Sequence, residues 1–373
     1  MTRHPHISGL SRRTCLALAA VALATAGTAA RAQVPAGYPA SYQAIIDAAR
    51  KEGKVTIYTP TDAAAGKPLV KEFESLYPGV KVEYMDMNSV ELFNRFISET
   101  AAGTASADVV WNSAMDQAVK LVADGYAQPY ESIETRALPA WAVYQKTAYG
   151  TTFEPLGVVY NKRLLPAGDV PKTHAEFIKL LGDPRLQGKV TTYDIEKAGV
   201  GFLYLTADVH VNAALTWDVV KAMAGAGVKL QSSSSTMMER ISSGEQLLGY
   251  NMIMSYAHAR AKKDSNIGYS LLKDHTLVMS RVAFIAKGAK SPNAARLWMD
   301  YLLSKRGQTT LANASELYAI RSDVEGEMTA QTLQKELGLS LRPIGIDQNL
   351  LTYLEQGKRL EFIKTWRSFV ARK

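Results

Sequence analysis

Lys54-Val55-Thr56-Ile57-Tyr58-Thr59-Pro60-Thr61-Asp62 is the stretch that decides the fold. Its first five residues carry the β-branched and aromatic side chains of a strand, and Pro60 closes it. Pro68 through Tyr77 follows with apolar residues at helical spacing, so the segment reads strand, loop, helix. Val80-Lys81-Val82-Glu83-Tyr84 alternates as a second strand, residues 89–100 read as a second helix, and Ala107-Asp108-Val109-Val110-Trp111 as a third strand. Such alternation predicts a sheet with helices on its faces. Gly157-Val158-Val159-Tyr160-Asn161, Val190-Thr191-Thr192-Tyr193 and the run from Leu247 to Met254 predict a second sheet. Neither a repeat nor a long Pro- or Ser-rich linker separates the two α/β units, which points to domains joined by strands that cross between them.

The remaining composition agrees with two globular domains. The chain has 373 residues, 47% apolar and 21% charged, and at about 150 residues per domain that is enough for two cores with a cleft between them. Its formal charge of +8 is mostly local: four of the 43 basic residues (Arg3, Arg12, Arg13, Arg31) and none of the 35 acidic ones lie in residues 1–32, so the remainder carries +4. A balance that small does not indicate a nucleic-acid partner. Cys15 is the single cysteine and falls in the same segment, which excludes cysteine-based metal centres and nucleophiles from a chain cut after it.

Residues 1–32 read as a cleavable export signal. A basic stretch ending in Arg12-Arg13 precedes an apolar run from Cys15 to Ala24, and Ala30-Arg31-Ala32 supplies the small residues of a cleavage site, placing the cut before Gln33. The apolar run is about half the ~20 residues a membrane span needs. The expected product is therefore periplasmic. Cys15 and Ala17 depart from the twin-arginine pattern and favour the general secretory route.

Ligands of open α/β sheets bind beyond the carboxyl ends of strands, where backbone amides and helix N-termini are free. After the first strand come Thr59, Thr61 and Asp62; after the third come Ser113 and Ala114, with Asp116 three residues past Ser113 as in a capping box. In the second unit Ser235 and Thr236 precede Met237-Met238-Glu239, so Thr236 reads as the cap of a helix pointing at the cleft. Thr173-His174-Ala175-Glu176 has the same form and reads as plain capping. Tyr160, Tyr193 and Tyr256 sit in or just after strands, where a phenol can reach the cleft or pack in a core.

Catalytic and metal signatures are thin. His174, His210, His258 and His275 are widely spaced, with no H-x-x-x-H or H-E-x-x-H arrangement, and G-x-S-x-G, P-loop and dinucleotide motifs are missing.

Several blocks resemble the ferric-iron type of ABC-importer binding protein: Val55-Thr56-Ile57-Tyr58-Thr59, Ala107 to Trp111, Gly157 to Asn161 and Asp183-Pro184-Arg185-Leu186-Gln187-Gly188-Lys189-Val190. The order matches, and Lys290 to Gln308 resembles the family's helix near the return to the first domain. The resemblance implies a type II periplasmic binding protein: two α/β domains with a ligand cleft between them and crossing hinge strands. It also implies an inner-membrane ABC permease as partner. The departure is at the ferric site. Iron-binding members carry adjacent tyrosines after a late strand, whereas here Tyr256 is followed by Ala257. One phenol among hydroxyl-rich loops suits a carboxylate or phosphate ester, with Arg260 either a fork to it or part of a solvated stretch with Lys262 and Lys263.

The sequence is therefore read as a monomeric periplasmic binder of a small organic carboxylate or phosphorylated anion. It performs no chemistry, holds no cofactor or metal, and binds no nucleic acid. The first domain is placed at residues 33–142 and 282–373 and the second at 143–281. Ferric or other metal uptake on the same fold, and a secreted cleft enzyme using Asp62 and Tyr256, are the alternatives.

Overall fold

The structure, a computed structural model, describes Met1 and residues 34–370. The expected signal segment and its cut before Gln33 lie outside the described residues. No helix among those described is long and apolar enough to cross a membrane.

The described residues form thirteen strands: β1 (Lys54–Thr59), β2 (Lys81–Asp86), β3 (Val109–Asn112), β4 (Val143–Tyr144), β5 (Ala148–Gly150), β6 (Glu154–Asn161), β7 (Val190–Tyr193), β8 (Lys229–Gln231), β9 (Leu248–Ile253), β10 (Ile267–Ser270), β11 (Thr276–Met279), β12 (Val282–Ile285) and β13 (Leu341–Pro343). They form two sheets, ordered β2-β1-β3-β12-β5-β4 and β13-β11-β6-β9-β7-β8, with β10 paired to β6. In the first sheet β1 lies parallel between β2 and β3, and β12 is antiparallel to β3. In the second, β7 runs parallel to β8 and β9, while β6 is antiparallel to β9. Helices cover both sheets because the parallel strands need crossover connections. Inner strands are buried on both faces accordingly, as in β3, where all four residues are buried, whereas the edge strand β2 has no fully buried residue.

The two sheets are joined where the sequence predicts crossing strands, and their limits differ from the expected ones. The expected first boundary falls after residue 142, but β4 and β5 pair with β12 in the first sheet, so the crossing lies between Gly150 and Glu154. The return crosses between Met279 and Val282, next to the expected 281/282 boundary. The tail departs further. β13 pairs with β11 of the second sheet, and Ile346 then donates to the Trp141 carbonyl of the first domain at 3.0 Å. The final helix, Gln356–Val370, inserts Phe362 and Trp366 into the second domain's core beside Phe202 and Trp217. Burial of that helix's aromatic face outweighs continuity in sequence, so residues 341–370 do not all belong to the first domain.

The two crossings are tied to each other. Thr151 donates its N–H to the Arg281 carbonyl at 2.9 Å and Arg281 donates its own to the Thr152 hydroxyl at 2.9 Å. A hinge built of two paired strands allows rotation of the domains about one axis and resists shear.

Candidate functional site

Because β1 and β3 run one way in the first sheet and β7, β8 and β9 another in the second, their carboxyl ends meet at the cleft. Two adjoining cavities occupy it, of about 380 and 170 Å3, and Asp62, Ser234, Ser235 and Tyr256 line both.

From the first domain, the loop after β1 is wound on itself. Thr59 Oγ1 accepts the Thr61 N–H at 3.0 Å, and both side chains are fully buried. Thr59 and Thr61 thus shape the loop. Asp62 is the outward residue: it stands at the N-terminal end of the helix Ala63–Leu76 and its carboxyl faces the cavities. Burial, with Asp86 nearby, raises its pKa above the ordinary carboxylate value against the opposing pull of Arg281. Ser113, after β3, lines the smaller cavity.

From the second domain, β8 delivers the serine run Ser232–Ser235. Ser233 is the cap of the helix Ser234–Ser243, its hydroxyl accepting the Thr236 N–H at 3.2 Å. The expected cap at Thr236 is therefore corrected: five consecutive hydroxyl residues, Ser232 to Thr236, offer several registers, and Ser233, still extended, takes the cap position. Thr236 lies within the first turn, bonded to Ser233 at 3.0 Å, and is not on the cavity wall. Ser234 and Ser235 are, at the positive end of the helix. Tyr193, at the end of β7, hydrogen-bonds Ser234 and is packed over Gly201, where a Cβ would collide with its own.

Tyr256 sits between the two walls, in the first turn of the helix Met254–Ala261 that follows β9. Its hydroxyl oxygen accepts the Asp62 N–H at 3.3 Å across the cleft, which leaves the phenolic hydrogen free to donate. Burial, together with Asp62 and Glu154 and against Arg281, pushes its pKa up to about 12, so the phenol stays protonated. Arg260 lines the larger cavity on the next turn but stands 3.7 Å from Asp264, which takes up part of its charge.

Besides Thr59, Thr61 and Thr236, two further expected site residues lie off the cavity walls. Tyr160 lies next to the end of β6, which runs antiparallel to its neighbours, so its carboxyl end points away from the cleft and the ring packs on Gly268. Ala114 is fully buried and spends its N–H on Asn112 Oδ1 at 2.9 Å, so it offers the cleft nothing. Asp116 caps no helix: Ala114 holds that position without a side-chain bond.

The sequence reading missed the back wall. Arg281, on the return crossing, is fully buried, donates through Nη1 to Thr61 Oγ1 at 2.8 Å and through Nε to Glu154 Oε1 at 2.6 Å, and stands 5.1 Å from the Tyr256 ring centroid. Burial opposes its charge, and Glu154 on the other crossing overrides that cost and keeps it protonated. The available signal was a charged residue opening each apolar strand, Glu154 before Pro155-Leu156 and Arg281 before Val282-Ala283.

Two α/β domains hinged on crossing strands around a polar cleft are the type II periplasmic binding architecture. The chain belongs to the bacterial extracellular solute-binding proteins, whose family model matches residues 68–335. It is similar to the substrate binding protein of an ABC transporter from Agrobacterium tumefaciens, with a TM-score of 0.81 and 38% identity over 85% of this chain and 94% of that one. The fold is shared with the periplasmic binding protein AfuA from Actinobacillus pleuropneumoniae, determined with fructose-6-phosphate bound (TM-score 0.71, 19% identity, 86% of this chain and 99% of that one). Iron-bound HitA from Pseudomonas aeruginosa has it too (0.65, 19%, 85% and 99%).

Proposed function

We propose that this chain captures a small anionic solute in the periplasm by closure of its two domains and delivers it to an inner-membrane ABC permease, without catalysing a reaction. The observation that carries this reading is the pairing of walls: Ser234 and Ser235 at a helix N-terminus face Tyr256 and Asp62 across the same cavities. The hydroxyls, the helix end and the free phenolic hydrogen are donors for a carboxylate or phosphate group. Asp62, whose carboxylate oxygens accept no hydrogen bond from the described residues, calls for a solute that also carries a hydroxyl or amino donor. A phosphorylated sugar or a hydroxylated or aminated carboxylate meets both demands. Closure follows from the solute's preference for contacting both walls at once.

Native mass spectrometry of freshly purified protein identifies any retained solute, and thermal shift with sugar phosphates and small hydroxy or amino acids tests the class. A matching solute at a hundredfold excess over its dissociation constant adds about 2.7 kcal/mol of stability. Ferric uptake is the second reading, favoured by the fact that two phenols, Tyr193 and Tyr256, line the smaller cavity. A rise in melting temperature with ferric citrate, accompanied by a visible tyrosinate-iron absorption band, would replace the anion reading with it.

A further inference from the structure

His174, Asp274 and His275 lie outside the cleft, in the second domain, and one donor atom from each is within 4.8 Å of the other two. His174 opens the helix His174–Leu180, and Asp274-His275 immediately precede β11, the strand that leads into the return crossing. We propose that these three residues form a binding site for a divalent transition-metal ion of the zinc type.

The first argument is charge. Asp208 and Asp274 both belong to the cluster, and among the described residues their ion-pair partners are histidines alone, His275 for Asp208 at 3.2 Å and His174 for Asp274 at 3.0 Å. With neutral imidazoles the buried Asp208 charge has no cationic partner, which is costly, and Asp274 adds a second carboxylate at the rim. Protonating both rings is opposed, because they stack face to face at 4.1 Å and 11°. One divalent ion supplies the missing charge at a single point.

The second argument is geometry. His174 Nδ1 is 3.0 Å from each Asp274 oxygen, close to the spacing of about 3.3 Å between neighbouring ligands of a tetrahedral ion bound at 2.0–2.2 Å. The opposite nitrogens are already held: His174 Nε2 is 3.0 Å from the Tyr250 hydroxyl, and His275 Nε2 is 3.2 Å from Asp208 Oδ1. Tyr250 stands 3.4 Å from Asp208 Oδ2, and Asn251 donates to that oxygen at 2.7 Å. Asp208 thereby holds His275 directly and His174 through Tyr250, the outer arrangement that metal-bound imidazoles use. Asp274 is 33% exposed, giving the ion a way in and a solvent ligand, whereas the two rings are sealed. Because the rings are stacked nearly parallel, binding of one ion by both imidazoles requires one of them to tilt out of the stack.

The test uses untagged protein stripped with a chelator and titrated with zinc chloride by calorimetry, with cobalt(II) absorption as a second reading. One equivalent is expected to bind and to raise the melting temperature. His275→Ala and Asp274→Asn should abolish binding, Asp208→Asn should weaken it about 10–100-fold, and His210→Ala, at an exposed position on the same helix as Asp208, should leave it unchanged. Asp274→Asn guards against a His275 variant that fails to fold, since its side chain is at the rim. No zinc binding by the stripped protein, or binding that survives both His275→Ala and Asp274→Asn, overturns the site. A melting temperature that follows pH and ignores zinc overturns it in favour of a proton-binding network.

Discussion

Arg281 and Glu154 pair across the two crossing strands, Nε to Oε1 at 2.6 Å, with side chains 1% and 0% exposed. Ser255, beside Tyr256, donates to the same carboxylate. One ion pair thus joins both hinge strands to the helix that presents the cleft's central phenol. Its charges cancel, so it props the back wall without making the cleft cationic.

Removing one partner leaves the other charge buried and alone. Glu154→Gln is expected to lower unfolding stability by about 3–5 kcal/mol in urea titration, and Glu154→Leu with Arg281→Met to lose less than either single change. A Glu154→Gln protein as stable as the wild type would show that the pair is not the hinge's main tie.

Tyr256→Phe removes the hydroxyl that faces the solute. Solute affinity, measured by calorimetry, should fall by about 1–3 kcal/mol, roughly five- to a hundredfold, with a small change in ligand-free melting. Tyr160→Phe, at the far end of its sheet, is the control and should bind normally. Equal affinities for Tyr256→Phe and wild type would remove Tyr256 from the site.

Ser233, not Thr236, caps the helix that carries Ser234 and Ser235. Ser233→Ala should destabilise the protein by about 1 kcal/mol and Thr236→Ala by less. The reverse order in thermal denaturation would restore the register expected from the sequence.

Asp116 is buried in the first turn of the helix Met115–Ala123, with Oδ1 unpartnered, and burial pushes its pKa up to about 7 against the Gln117 N–H and Arg359. A carboxyl whose folded pKa is raised binds its proton in the folded state at a pH where the unfolded chain has released it. Stability therefore falls as pH rises from about 4 to 7 and is flat above that. Asp116→Asn should lose this slope, so its stability relative to wild type should climb across that window. Parallel curves would place the titration elsewhere.

The elements were legible where neighbouring residues decide them. Lys54–Thr59 and Val190–Tyr193 are strands because their side chains suit a pleated, buried surface, and Thr173 caps its helix through the Glu176 N–H. Asp62, Ser113, Tyr193, Ser235 and Tyr256, which line the cleft cavities, follow from one rule, that parallel strands carry their carboxyl ends to one side. Tyr160 broke the rule because strand direction within a sheet is set by pairing partners distant in sequence. Arg281 and Glu154 were passed over because a charged side chain reads as exposed until its counter-charge, more than a hundred residues away, is seen beside it.

The sequence by itself determined the α/β alternation, the two-domain plan, the family likeness and most of the loops that meet at the cleft, since each depends on local propensity and periodicity. Only the tertiary structure decided where the domains exchange strands, how the tail returns to the second domain, and which charges neutralise each other at the hinge. It alone brought His174 against Asp274 and His275. Those outcomes depend on which buried surfaces and charges find each other, a balance between burial and desolvation settled among residues that the chain holds far apart.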